Sequence, residues 1–161
     1  ERLRLGGNTM LGLRPQQRGF TLLELLIVMA IIAIVATLAA PSFNDVLERQ
    51  RVRTVADTLR GSIDLARSEA VKRNTAIAVS RIDDNWNKGW QLTDGAEVIY
   101  TAPAQPSATI TASHSAVQFA GNGRANVSAS FSIVPASGDT ANASCVEISL
   151  SGRPRSAKGE C

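Results

Sequence analysis

The chain is short of nearly every residue from which familiar active sites are built. It has one histidine, His114, set among serines and threonines, and its two cysteines, Cys145 and Cys161, form no C-x-x-C pair. Zinc takes clustered Cys and His ligands, so no metal is expected. No paired carboxylates stand in a recognisable motif, and neither a G-x-G-x-x-G nor a P-loop occurs. An enzyme is therefore not expected, and no cofactor is implied. Aromatic residues make up 4% of the chain, in keeping with a small β-rich exported domain. A global excess of charge is missing too. Arg2, Arg4, Arg14 and Arg18 against Glu1 supply the whole formal charge of +3, and from Phe20 onward basic and acidic residues balance. A general electrostatic pull towards nucleic acid is excluded, and only a local basic patch can be argued. At 161 residues the chain is long enough for one domain with a real core.

What is present begins with a long apolar run. From Phe20 to Ala40 the polar residues are Thr21, Glu24 and Thr37. As a helix this run reaches roughly 30 Å, the hydrocarbon thickness of a bilayer. The arginines lie before it, which predicts a cytoplasmic N-terminus and an exported remainder. Three readings compete. A secretory signal cut near Leu38-Ala39-Ala40 leaves Pro41 first and gives Glu24 no role. A plain membrane anchor tolerates Glu24 only by letting it snorkel to the interface. Cleavage between Gly19 and Phe20 keeps the apolar helix on the mature chain and creates an amine that answers the charge of Glu24.

Beyond Pro41 the pattern becomes amphipathic. Phe43, Val46, Leu47, Val52, Val55, Ala56, Leu59, Ile63, Ala66 and Ala70 recur at three- and four-residue intervals, with charged residues between them. One helix over about 20–73, bent at Pro41, is predicted. The basic cluster Arg49, Arg51 and Arg53 reads as a solvated or membrane-proximal face. After Asn74, strands are expected at 75–82, 90–93, 97–101, 108–112, 116–120, 127–134 and 145–151, with Gly121-Asn122-Gly123 as a tight turn and 135–142 as a loop. Trp86 and Trp90 are expected to pack in the core or at its rim. The fold class is α+β, one long helix packed on an antiparallel β-sheet.

The segment "RGFTLLELLIVMAIIAIVATLAAP" resembles the leader and helix of type IV prepilins and type II secretion pseudopilins. The resemblance implies that residues 1–19 are a prepilin leader, with Met10 as a natural start. A prepilin peptidase would cut after Gly19 and methylate the amine of Phe20. Residues 20–40 would be a transmembrane helix that later enters a filament core, and 41–161 an exported pilin domain. In such filaments the residue matching Glu24 meets the amine of a neighbouring subunit and sets axial register. "NKGWQL", "VQFAGNGR" and "CVEISLSGRPRSAKGEC" are similar to the FimT/GspH branch of minor pilins and pseudopilins. Partners implied are other pilins or pseudopilins, the peptidase and the inner membrane. The exported domain would face the periplasm and then the pilus exterior.

That topology puts Cys145 and Cys161 on the oxidising side, where a disulfide is the default. The closed loop holds Gly152-Arg153-Pro154-Arg155 and Lys158. Gly152 can turn the chain, Pro154 stiffens it, and guanidinium groups suit phosphate because they donate two parallel hydrogen bonds. In the FimT branch a G-R-x-R motif here is associated with DNA binding during natural transformation. The resemblance thus implies a sequence-independent DNA site of Gly152, Arg153, Arg155 and Lys158, with Arg124 as helper. Two arginines near a C-terminus also serve simply to keep a tail soluble. In that case the chain is a structural GspH-like pseudopilin or a priming subunit without DNA binding.

Overall fold

Thr21 caps the helix that follows it: its Oγ1 accepts a hydrogen bond from the Glu24 N–H at 3.2 Å, satisfying one of the amides that a helix start leaves unpaired. The structure, a computed structural model, describes residues 19–161, without the side chains of residues 38–42. The leader and Met10, and the side chain of Pro41 at the expected bend, therefore lie outside the described residues. α1 spans Leu22–Arg73. Asn74, at φ 52°, ends it in the left-handed region that Asn tolerates well.

Two units divide at Ala39 and Ala40. In the first, every described side chain is exposed, including Leu22, Leu25, Ile27, Ile31 and Ile34. Among the described residues no helix is long and apolar enough to cross a membrane. The expected span of 20–40 runs on into residues 38–40, whose side chains lie outside the described residues.

In the second unit, α1 buries Val52, Val55, Ala56, Leu59, Ile63, Ala66 and Ala70, the stripe that the three- and four-residue spacing predicted. Phe43, Val46 and Leu47 continue that stripe in sequence but are exposed, because the sheets do not cover them. The stripe shares one core with buried residues of β1 (Ile77–Ile82), β2 (Asn85–Asp94), β4 (Ala108–Ala112), β5 (Ala116–Phe119), β6 (Ala129–Pro135) and β7 (Ser144–Ile148), while β3 (Glu97–Thr101) adds Ile99 and Tyr100 at its rim and β8 (Pro154–Lys158) adds no buried residue. These strands form two four-stranded antiparallel sheets, ordered β3-β2-β1-β5 and β4-β6-β7-β8, the antiparallel half of the α+β fold expected. Asn87 on β2 ties the sheets together. Its Nδ2 donates to the Ala108 carbonyl at 3.1 Å and its Oδ1 accepts from the Ile110 N–H at 2.8 Å. Trp86 and Trp90 are buried as expected, and Trp86 meets Phe131 edge-on at 4.9 Å.

The end of α1 is pinned by charge. Arg73 reaches Glu69 at 2.8 Å and Glu97 on β3 at 3.0 Å. The hydrogen bond from Arg73 holds the Glu69 carboxyl below its ordinary value of 4.5, against a smaller opposing effect of desolvation. A carboxyl lowered in the folded state stabilises fully above its unfolded value, and that contribution fades as pH falls through the folded one. Melting temperature measured from pH 6 down to pH 3 should therefore fall less steeply in E69Q than in the parent. Both partners meet solvent, so the difference should be small.

Candidate nucleic-acid interface

The tail between the cysteines is a β-hairpin rather than a loop. Ser149 to Gly152 turn the chain, with the Gly152 N–H donating to the Ser149 carbonyl at 2.8 Å, and β8 then returns along β7. Pro154 opens β8 at a sheet edge, where its missing N–H costs no ladder hydrogen bond. The Cys145–Cys161 disulfide closes the open end of the hairpin, with a Cα–Cα distance of 5.0 Å.

Strand geometry then sorts the basic residues. Side chains two apart share a face of a strand, and those three apart do not. Arg153 and Arg155 line one groove of about 620 Å³, together with Ser113, His114, Ser130 and Glu147. Ser128 and Ser149 add further hydroxyls to its wall. Lys158, three residues beyond Arg155, lines a separate groove of about 440 Å³ with Arg49 and Arg53 of α1. The two grooves thus separate Lys158 from the arginines, and Arg49 and Arg53, exposed as the solvated-face reading expects, stand beside it.

Arg124 is a near neighbour. Its turn docks on the Ser149–Gly152 turn: the Ala125 N–H donates to the Leu150 carbonyl at 3.2 Å, and Arg67 Nε donates to the Gly123 carbonyl at 3.1 Å. Gly152, at φ +76°, lies so close to that Gly123 carbonyl that a Cβ would collide with it. Arg124 itself is exposed and does not line the arginine groove.

Among the described residues, Arg153, Arg155, Lys158 and Arg124 form no salt bridge. This holds even for Arg155, although Glu147 is its register partner across β7 and β8. Two guanidinium groups without ion-pair partners beside several hydroxyls make a surface that donates hydrogen bonds to an anion. Among the described residues no group of three His, Cys, Asp or Glu is placed to hold a metal. At the other end of the chain, Gly19, Phe20 and Glu24 are exposed.

A family model described as Type II transport protein GspH matches residues 55–152, more than half of the chain. The chain belongs to the GspH family. The prokaryotic N-terminal methylation motif matches residues 14–40. The GspH fold recurs in the type IV minor pilin FimU of Pseudomonas aeruginosa, with a TM-score of 0.60 at 23% identity over 70% of this chain and 96% of that one. A second crystal form of FimU gives 0.58 at 24% identity over 65% and 91%. A fimbrial protein of Moraxella nonliquefaciens is 48% identical over 54 residues, 32% of this chain and 35% of its own length. The type IV major fimbrial protein FimA of Dichelobacter nodosus is 33% identical over 90 residues, 52% of this chain and 56% of its own length. This GspH-family chain thus spans about a third to just over half of the length of these curated relatives. It stands within the type IV minor pilin and pseudopilin superfamily. The GspH match ends at Gly152, so Arg153 and Arg155 lie just beyond it.

Two features of this GspH-family chain escape a reading of the sequence. Thr21-Leu22-Leu23-Glu24 is a T-x-x-E capping pattern, a signal that was there to be found. His114 carries no local signal, because its groove partners come from β6, β7 and β8.

Proposed function

We propose that the chain is a minor subunit of a type IV pilus that holds DNA through the Arg153 and Arg155 groove, without regard to sequence, for uptake in natural transformation. The observation that carries the reading is the sharing of one hydroxyl-lined groove by two arginines that have no ion-pair partner among the described residues. Phosphate contacts of this kind position a duplex but carry no sequence information. Trp86, Trp90, Phe119 and Phe131 are buried, so these rings offer no base-stacking platform, which favours duplex backbone over unpaired bases. Titrating a labelled duplex at low salt tests the reading: a dissociation constant of about 10⁻⁴ to 10⁻⁶ M supports it. No binding at low salt would return the chain to a purely structural role.

The N-terminal half of the proposal is processing and assembly. A prepilin peptidase cuts between Gly19 and Phe20 and methylates the new amine. The apolar helix holds the subunit in the inner membrane as a single pass, with the second unit in the periplasm. Glu24 then pairs with the Phe20 amine of a neighbouring subunit as the helix enters the filament. Support comes from the methylation-motif match over residues 14–40 and from the exposed apolar side chains that precede residue 38. In E24A, mass spectrometry should still find a chain starting at methylated Phe20, while sheared filaments should hold far less of the subunit than the parent. Normal incorporation would show that the Glu24 carboxylate only snorkels to the membrane interface.

A second reading is favoured by the GspH match itself: a structural pseudopilin of a type II secretion system, in which the arginine groove has no ligand. Retention of secretion in a strain lacking this chain, with loss of DNA uptake, separates the two.

A further inference from the structure

We propose that His114 is a third donor of the arginine groove, holding a non-bridging phosphodiester oxygen through its Nε2–H beside Arg153 and Arg155. The inference rests on the DNA-binding reading of that groove. An exposed histidine on a loose segment would carry nothing, but this one is held from two sides. Its carbonyl accepts a hydrogen bond from Nε1 of the buried Trp86 at 3.2 Å. Its Nδ1 lies 2.9 Å from Ser113 Oγ. Ser113 is in turn fixed to Ser130 of β6 by two bonds: the Ser113 N–H donates to the Ser130 carbonyl at 3.0 Å, and Ser113 Oγ accepts from the Ser130 N–H at 3.0 Å.

These bonds accommodate the tautomer that this role needs. A hydroxyl has one proton and two lone pairs. Ser113 Oγ accepts from Ser130, and its own proton is free to go to His114 Nδ1, 2.9 Å away. We take Nδ1 as that acceptor, which puts the ring proton on Nε2. Nε2 has no hydrogen-bond partner among the described residues. The groove that His114 lines brings together two guanidinium groups, the hydroxyls of Ser128 and Ser149, and one carboxylate, Glu147. A phosphodiester only accepts hydrogen bonds at its non-bridging oxygens. An oriented N–H beside two guanidinium groups therefore matches it, while Glu147 at the groove wall disfavours other placements of the anion.

The test uses the full chain in detergent micelles and a labelled duplex of about 20 base pairs, read by fluorescence polarisation at pH 8. Loss of one donor in H114A should weaken binding about five-fold. H114Q, whose amide restores an N–H, should return to within about two-fold of the parent. Neither variant should change the slope of affinity against salt, whereas R153Q should flatten it by about 0.9. In ¹H–¹⁵N spectra of the imidazole, Nε2 should carry the proton before the duplex is added, and its resonance should shift as the duplex saturates the groove. Parental affinity in H114A alongside weakened R153Q overturns the role of His114 and leaves the groove reading intact. An Nε2 resonance that stays in place at saturation overturns it likewise. A parent that does not bind the duplex overturns both.

Discussion

The double variant R153Q/R155Q should lose measurable affinity for duplex DNA in a low-salt titration while keeping its fold and its place in the filament. Each guanidinium contact to phosphate releases condensed counterions, so two contacts give a salt slope near −1.8 on duplex. Removing both should flatten the slope to near zero and weaken binding by at least about ten-fold. K158Q is the control that follows from the hairpin. Lys158 lines the other groove, with Arg49 and Arg53, so its replacement should leave both affinity and slope almost unchanged. Binding that survives the double variant and falls with K158Q would move the site to that second groove. The single-site affinity expected here is modest, and several subunits engaging one DNA molecule would raise it through effective concentration.

The second large effect should come from a residue that donates nothing. G152A should lower the stability of the second unit by about 2 kcal/mol or more. A left-handed backbone costs an alanine about 1–2 kcal/mol, and overlap of its Cβ with the Gly123 carbonyl adds to that. For a domain of this size the melting temperature should drop by about 4–8 °C. The collision also pushes apart the two turns that set the entry to β8, so DNA binding should fall together with stability. R153Q/R155Q, by contrast, should melt like the parent. A G152A chain with parental melting temperature would mean that the two turns separate at no cost, and that the glycine of the motif has another role.

How far the sequence disclosed all this depended on whether the deciding contacts were local. The helix was legible because Val52 to Ala70 repeat at the helical period, and β3 and β4 because short runs are bounded by turn residues. The disulfide followed from the topology alone. Strand order was hidden: β5 returns to pair with β1, and β6 with β4, and nothing in either segment names its partner. β8 was missed because Pro154 and the flanking basic residues read as a loop, whereas an edge strand accepts both. The same strand bears on the basic residues. In a loop Arg153, Arg155 and Lys158 look equivalent, and only the two-residue period of a strand separates the lysine from the arginines. Phe43, Val46 and Leu47 continued the apolar period past the point where the sheets stop, so the period alone overstated the buried face.

The most direct test of the central claim is to watch the arginine side chains themselves. Nε–Hε resonances of the full chain, assigned by single replacements, can be followed as duplex DNA is added at low salt. The account predicts that Arg153 and Arg155 shift together and saturate with one binding curve, while Arg49, Arg53 and Arg67 stay in place. Shifts confined to Arg49 and Arg53, or no shift at Arg153 and Arg155 at saturation, would contradict it.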